Sequence, residues 1–338
     1  MNPEDYLQPL AHCTLCEHRC GVDRLAGHTG VCRMTLPAVA SATLHPAPPE
    51  SYTVFMAGCN YKCLNCQNWS IAQLPDNGYP PGQFVPAREL AQECVARLES
   101  PAAKLMGADR IFFSGGEPTI HLPYVEKVVA EARKLTPDLK VNFDTNGYLT
   151  HQSLLEVLEF TTSITFDIKA FNDEVHLALT GASSAPVLRN AAYVGNHAKE
   201  KLWEYRILVI PEINVEEIEP LCRFIADIDM QLPVSFLAFR PNYVLEHQAG
   251  ATTALMERCV DIAATNGLKR AYWAGQTGIP GSRSAPRNQE ISGYQLAGAR
   301  TAGAHAYAAG CRTHPRNCAA CAFHQSCAVK GYVPQKNT

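Results

Sequence analysis

Short runs of β-branched and aromatic residues recur along the chain at 52–56, 110–113, 140–143, 163–167, 203–210, 234–239 and 270–273. Between them, apolar residues return every three or four positions over 87–99, 123–134, 153–160, 186–197, 215–228 and 253–266. Strand patterns alternating with amphipathic helix patterns predict βαβ units around a parallel sheet, hence an α/β fold. Six or seven such units suit an open, partial (β/α)6-type barrel better than a closed eightfold one. In either form, ligands gather at the C-terminal ends of the strands. Residues 1–45 show little apolar periodicity and predict a small lobe too short to have a core of its own. His45-Pro46-Ala47-Pro48-Pro49 reads as an extended connector, and 274–293, rich in Gly, Pro, Ser and Arg, as a loop over one end of the sheet. The expected organisation is an N-terminal lobe (1–45), a core (50–275) and a C-terminal extension (276–338).

Composition narrows the class. Of 338 residues, 46% are hydrophobic, which permits a large core and excludes global disorder. Only 18% are charged, so partners, cofactors or loops are expected to cover much of the surface. No apolar run approaches ~20 residues, so no membrane span is expected. The start, Met1-Asn2-Pro3-Glu4-Asp5, lacks the basic-then-apolar pattern of a secretory signal, and the expected location is the cytoplasm. The net charge is −3, unevenly spread. From Lys269 onward, Arg270, Arg283, Arg287, Arg300, Arg312, Arg316, Lys330 and Lys336 face a single acid, Glu290. Such asymmetry suits either an acidic or phosphate-bearing partner or a solvated face that balances the acidic body.

Fourteen cysteines then dominate the chemistry. In a reducing compartment, metal ligation is a better expectation than a disulfide framework. Cys13, Cys16, Cys20 and Cys32 form one group, Cys59, Cys63 and Cys66 a second, and Cys311, Cys318, Cys321 and Cys327 a third. Cys94, Cys222 and Cys259 stand apart in helix-like stretches and read as small buried hydrophobes.

The central group lies in Gly58-Cys59-Asn60-Tyr61-Lys62-Cys63-Leu64-Asn65-Cys66-Gln67-Asn68-Trp69, directly after the first strand-like run. Three thiolates on one short loop can hold three irons of a [4Fe–4S] cluster and leave the fourth iron open. Zinc would want a fourth nearby Cys or His, and none follows within a dozen residues. This stretch resembles the radical S-adenosylmethionine (SAM) enzymes, whose open iron binds the amino and carboxylate groups of SAM. Ser114-Gly115-Gly116-Glu117-Pro118, at the end of a strand, resembles the family's glycine-rich motif for the methionyl amino group. Glycines there let the backbone approach a ligand closely. Asp144-Thr145-Asn146-Gly147-Tyr148 and Phe166-Asp167-Ile168-Lys169 resemble the next two strand ends of pyruvate formate-lyase activating enzymes. The resemblance implies a monovalent cation beside SAM at Asp144, Thr145 and Asp167, with Asn146 and Lys169 in the SAM pocket. Asn172–His176 and Arg206 resemble that family too, Arg206 as a partner for the SAM carboxylate or ribose. The resemblance spans roughly 51–245.

Two departures stand out. The position before the third cysteine, usually aromatic in this family, is Asn65. Adenine contact then falls to backbone, to the Asn65 amide or to Trp69, which reads equally well as core. The extra cysteines also flank the core instead of interrupting it. The N-terminal group, Cys13-x-x-Cys16-x-x-x-Cys20 with Gly27-x-x-Gly30-x-Cys32, resembles activase homologues that begin with the same lobe, including the AmmeMemoRadiSam type. His18 and His28 are candidate replacements for a cysteine there. The C-terminal group loosely resembles the auxiliary-cluster tails of radical SAM peptide-modifying enzymes. Four thiolates accept either zinc or an auxiliary [4Fe–4S] cluster.

The resemblance implies reductive SAM cleavage by a low-potential electron from ferredoxin or flavodoxin, then hydrogen abstraction from a protein or peptide substrate. The alternatives are modification of a small molecule or RNA with auxiliary clusters, or a non-catalytic zinc or iron–sulfur module that binds nucleic acid through its basic C-terminal face. At the end of a late strand, Arg240, Asn242 and Tyr243 are expected to project over the open mouth toward substrate.

Overall fold

A computed structural model describes residues 5–73, 82–281, 291 and 293–335. Arg283, Arg287, Glu290 and Lys336 of the basic C-terminal count lie outside the described residues. The strands are β1 (Val39–His45), β2 (Ser51–Met56), β3 (Arg110–Gly115), β4 (Lys140–Thr145), β5 (Ser163–Asp167), β6 (Leu202–Val209), β7 (Val234–Ala238) and β8 (Ala271–Ala274). They lie in chain order in one open sheet, β1 antiparallel to β2 and the β2–β3, β3–β4, β6–β7 and β7–β8 pairs parallel. The helices are α1 (Trp69–Ala72), α2 (Ala87–Leu98), α3 (Pro101–Met106), α4 (Leu122–Leu135), α5 (His151–Phe160), α6 (Asp173–Thr180), α7 (Ala185–His197), α8 (Ile218–Ile228), α9 (Thr253–Thr265) and α10 (Ala297–Ala308). Each of β2 to β7 is followed by at least one helix, which is the partial α/β barrel that the hydrophobic pattern predicts.

Two compact units divide the chain, Met1–Asn60 with Ser70–Thr165 and Tyr61–Trp69 with Phe166–Thr338. In the first, β2 pairs Tyr52, Val54 and Met56 with Ile111, Phe113 and Gly115 of β3, and β3 pairs Ile111 and Phe113 with Val141 and Phe143 of β4. Apart from Gly115, these residues have buried side chains, as expected of parallel strands covered on both faces. Helix α4 buries Val125, Val128, Val129 and Ala132, spaced three and four apart, and packs against α2. Each such valine contributes roughly 1.5–3 kcal/mol. Ser100 caps α3 by accepting from Ala103 N, with Pro101 in its first turn and Gly107 at φ +81° ending it.

In the second unit, α8 buries Ile218, Leu221, Cys222 and Ile225 and packs on α9, which buries Met256, Cys259 and Ala263. Cys222 and Cys259, with Cys94 of α2, are therefore the small core residues the sequence suggests. Asn172 caps α6, and Gly181 at φ +84° ends it. Strand β1 and helices α1, α3, α6 and α10 escaped the sequence reading. The side chains of edge strand β1 are half-buried or exposed, so VASATLH carries no apolar alternation. Helix α10, AGARTAGAHAYA, is rich in Ala and Gly and has no apolar stripe; it packs on α6 by close approach, and a Cβ on Gly298 would lie 1.8 Å from the Ile213 carbonyl oxygen.

Candidate SAM and iron–sulfur site

The site residues of the first unit meet at the ends of β2, β3 and β4. Beyond β2 the chain turns through Gly58 (φ +76°) to Cys59, which is 6% exposed. Beyond β3, Gly115 and Gly116 press on that turn. A Cβ on Gly115 would lie 2.4 Å from Met56 N and O, and one on Gly116 would lie 1.8 Å from Gly58 O. Only glycine tolerates such approach. Backbone hydrogen bonds lock the contact, from Gly116 N to Met56 O (2.9 Å) and from Glu117 N to Gly58 O (3.0 Å).

Glu117 is buried and ties this loop to the end of β4. Its carboxylate accepts from Thr119 N (3.1 Å), Thr119 Oγ1 (2.5 Å), Thr145 Oγ1 (2.9 Å) and Asn146 N (2.8 Å). Burial pushes its carboxyl up to about 7 against these four donors, each of which favours the ionised form. Asn146 Nδ2 donates to Asn60 Oδ1 (2.7 Å) and lies 3.8 Å from Cys59 Sγ. Ser114 Oγ donates to Asp144 Oδ2 (2.7 Å). Thus Cys59, Gly115, Gly116, Glu117, Asp144, Thr145 and Asn146 are brought together by direct contacts.

The cysteine loop enters the second unit after Asn60. Burial pushes the Cys63 thiol up to about 12; Lys169 pulls it down, Cys66 adds to the rise and Arg316 opposes it. Lys169 Nζ donates to Asp167 Oδ2 (2.9 Å) at the end of β5. Arg206 of β6 instead pairs with Glu204 (2.8 Å), whose other oxygen accepts from Tyr272 Oη. Asn65 is 5% exposed, with no hydrogen-bond partner for its Oδ1. Trp69 stacks on Tyr243 with ring centroids 5.8 Å apart, which favours its core role.

Of the three residues expected to project over the mouth, Arg240 is exposed. Asn242 is half-buried and donates through Nδ2 to Cys66 O (2.7 Å). Tyr243 departs from expectation. It is fully buried at φ +52°, and its hydroxyl donates to Val329 O. The chain turns inward after Pro241, so the ring fills the core beside Trp69 and Tyr332 instead of facing solvent.

Both flanking cysteine groups are gathered in space. Cys13, Cys16, Cys20 and Cys32 line one cavity with His18, Arg24 and Gly30. In the C-terminal group, Thr313 Oγ1 lies 3.4 Å from Cys321 Sγ, and Cys318 accounts for the glycine at 181, where a Cβ would lie 2.2 Å from its sulfur. Burial raises the Cys318 thiol while Arg316 and Lys62 lower it. Among the described residues, no three His, Cys, Asp or Glu side chains are already disposed as ligands of a single metal ion.

The structure adds two residues that motif reading passed over. Arg24 and Arg316 are each 1% exposed and sit beside one of the flanking cysteine groups. Arg316 donates to Ala178 O (2.7 Å), Leu179 O (3.2 Å) and Lys62 O (2.8 Å), and its Nε has no partner. Each lies inside a cysteine spacing, but so do the exposed Arg19 and Arg312, so the sequence alone does not single them out.

A family model described as the radical SAM superfamily matches residues 53–225, just over half of the chain. An uncharacterized protein of Methanocaldococcus jannaschii is 25% identical over 270 residues, 78% of this chain and 76% of that protein. A pyruvate formate-lyase-activating enzyme of Staphylococcus aureus is 27% identical over 183 residues, 52% of this chain and 68% of that enzyme. Among solved structures, Streptococcus suis SuiB bound to S-adenosylmethionine is 17% identical, covering 64% of this chain and 48% of SuiB at a TM-score of 0.48, too loose a likeness to carry an argument. No helix among the described residues is long and apolar enough to cross a membrane. With the family model matched over the cysteine loop and both glycine-bearing strand ends, the chain belongs to the radical SAM superfamily and is an enzyme of that family, which implies a [4Fe–4S] cluster and SAM as cofactors.

Proposed function

We propose that Cys59, Cys63 and Cys66 bind three irons of the [4Fe–4S] cluster and leave the fourth to SAM. The donor set fits, with three thiols within eight residues of chain, Cys59 and Cys63 nearly fully buried, and an amide N–H of Asn146 near the Cys59 sulfur. When bound, the cofactors supply reductive cleavage of SAM to methionine and a 5′-deoxyadenosyl radical that takes a hydrogen atom from substrate. The observation that carries the reading is the backbone contact of the Cys59 turn with the Gly115-Gly116 loop, which joins the cluster loop to the glycine motif. Gly115 and Gly116 offer backbone to the methionyl amino group. Glu117 holds the Asn146 backbone in register with that loop. Asp144, Thr145 and Asp167 offer oxygens to a monovalent cation, Lys169 contributes to the SAM pocket, and Arg206 offers positive charge to the SAM carboxylate or ribose. Asn65, with its buried unpartnered oxygen, is the adenine contact in place of an aromatic residue.

The name of the Staphylococcus aureus relative says that it activates pyruvate formate-lyase. By that similarity, the substrate proposed here is a protein or peptide backbone position such as a glycine, and the electron donor a ferredoxin or flavodoxin. The lobe (1–45) and the extension (276–338) flank the catalytic core (50–275), each with a four-thiolate site for zinc or an auxiliary cluster. All fourteen cysteines are free of disulfides, which suits a reducing cytoplasm. Family membership sets aside the non-catalytic module. Of the mouth residues, Arg240 is retained as a substrate contact, Asn242 supports the Cys66 backbone and Tyr243 belongs to the core.

The test is Cys59→Ala, assayed anaerobically with dithionite and SAM. No 5′-deoxyadenosine is expected, and its continued formation would sink the assignment. Arg240→Ala should keep uncoupled SAM cleavage while product formation falls; loss of neither retires the arginine.

A further inference from the structure

The N-terminal lobe is stitched to the loops that the catalytic reading assigns to SAM. Glu17 N donates to Tyr148 O (3.1 Å), Thr150 N donates to Leu15 O (3.1 Å), and Cys16 bridges to Leu149. These contacts fix the segment just beyond Asn146. The His18 ring packs on Tyr148 at 4.9 Å, and its Nε2 lies 2.9 Å from the carbonyl oxygen of Asn60, the residue after Cys59. Arg24 makes the third attachment. Its Nε donates to Thr35 O (2.8 Å), while one terminal nitrogen reaches both Cys13 Sγ (3.8 Å) and Ile120 O (2.5 Å), in the turn that follows Glu117-Pro118. The other terminal nitrogen, Nη2, is buried without a hydrogen-bond partner.

That guanidinium is 1% exposed, and among the described residues no carboxylate pairs with it. A buried cation without a counter-charge is costly. The groups around it are four cysteines that line one cavity, close enough for Cys13, Cys20 and Cys32 each to act electrostatically on Cys16. Four thiolates around a zinc ion or a [4Fe–4S] core carry a net negative charge and supply the missing counter-ion. The glycine at 30 fits the same purpose, because a Cβ there would lie 2.5 Å from Cys20 Sγ.

We infer that Cys13, Cys16, Cys20 and Cys32 bind a thiolate-ligated metal centre, and that Arg24 and His18 carry its presence to the SAM-binding loops. The second half of this inference rests on the catalytic reading; the first does not. Arg24 is a positioning residue here, neutralising the centre on one side and holding the Ile120 turn on the other.

The experiment compares anaerobically purified full-length chains for iron, sulfide and zinc content and for equilibrium SAM affinity. Cys16→Ser/Cys20→Ser should lose about four irons with their sulfide, or one zinc, relative to wild type. It should keep the cluster signal that Cys59→Ala removes and bind SAM at least tenfold more weakly. Arg24→Gln should retain the lobe metal yet lose SAM affinity, with Arg24→Lys restoring part of it. Unchanged metal content in the double variant overturns the site, and metal loss with SAM affinity within twofold of wild type overturns the coupling. If that variant does not fold, Cys59→Ala/Cys63→Ala/Cys66→Ala/Cys318→Ser/Cys321→Ser leaves only the N-terminal set intact; it should still carry about four irons or one zinc, and a metal-free chain overturns the site. Persistent 5′-deoxyadenosine formation in Cys59→Ala would count against the catalytic reading alone.

Discussion

Acid should weaken this fold through buried histidines, and His121 isolates the effect. It sits in the turn after the glycine motif, is fully buried, and bonds through Nε2 to Ala57 O (2.7 Å) at the root of the cysteine loop, while Nδ1 is buried with no partner. Burial first, and the Arg24 charge next, pull its pKa from 6.5 down to about 3. Between those values the unfolded chain binds a proton that the folded chain refuses, so stability falls as pH falls. At pH 5 the unfolded chain is about 1.5 pH units below its pKa, which at ~1.4 kcal/mol per unit costs the wild type roughly 2 kcal/mol relative to pH 8. His121→Gln keeps an N–H donor for Ala57 O and cannot titrate. It should be less stable than wild type by roughly 1–2 kcal/mol at pH 8 through imperfect packing. That gap should shrink by roughly 2 kcal/mol at pH 5. His176 and His305, each held near 4 by burial, act in the same direction in both proteins, so only the difference between the two reports on His121. Anaerobic denaturant unfolding from pH 5 to 8 measures it. Parallel stability curves for the two proteins would refute the reasoning.

Gly116→Ala should cost roughly 3 kcal/mol or more and abolish SAM binding, because its Cβ would fall 1.8 Å from the Gly58 carbonyl oxygen and neither backbone can yield. Gly107→Ala, with left-handed backbone but nothing within 4 Å, should cost only about 1–2 kcal/mol and leave SAM binding intact; equal effects in thermal unfolding and calorimetric titration would remove the argument for close approach. Tyr243→Phe should cost about 1 kcal/mol for the lost bond to Val329 O while SAM cleavage and product formation stay at wild-type levels. A selective loss of product in that variant would return Tyr243 to the substrate site.

Periodicity revealed what burial imposes and little else. Strands β2 to β7 and the larger helices were legible because each sets a continuous or periodic apolar face against a neighbour, and β8 through its aromatic Tyr272 and Trp273. Strand β1 and helices α1, α3, α6 and α10 were not: β1 is an edge with exposed faces, α1, α3 and α6 are too short to show a stripe, and α10 packs through Gly and Ala that leave none. In the site, motif spacing named Cys59, Gly115, Gly116 and Asn146, which are joined directly or through Gly58 and Glu117. It could not say that Glu117 spends its carboxylate on Thr119, Thr145 and Asn146, a matter of side-chain geometry. Tyr243 misled for a similar reason. Its place at the end of a late strand predicts an outward side chain, whereas the left-handed backbone at Tyr243 turns the ring onto Trp69. Arg24 and Arg316 were overlooked because a lone arginine in a loop resembles a solvated charge. Only the packing shows both guanidiniums removed from water beside thiols, where a charge needs a counter-charge and the nearest candidates are the cysteines themselves. Burial is what sets these two apart, since Arg19 and Arg312 also lie inside the cysteine spacings but are exposed to solvent.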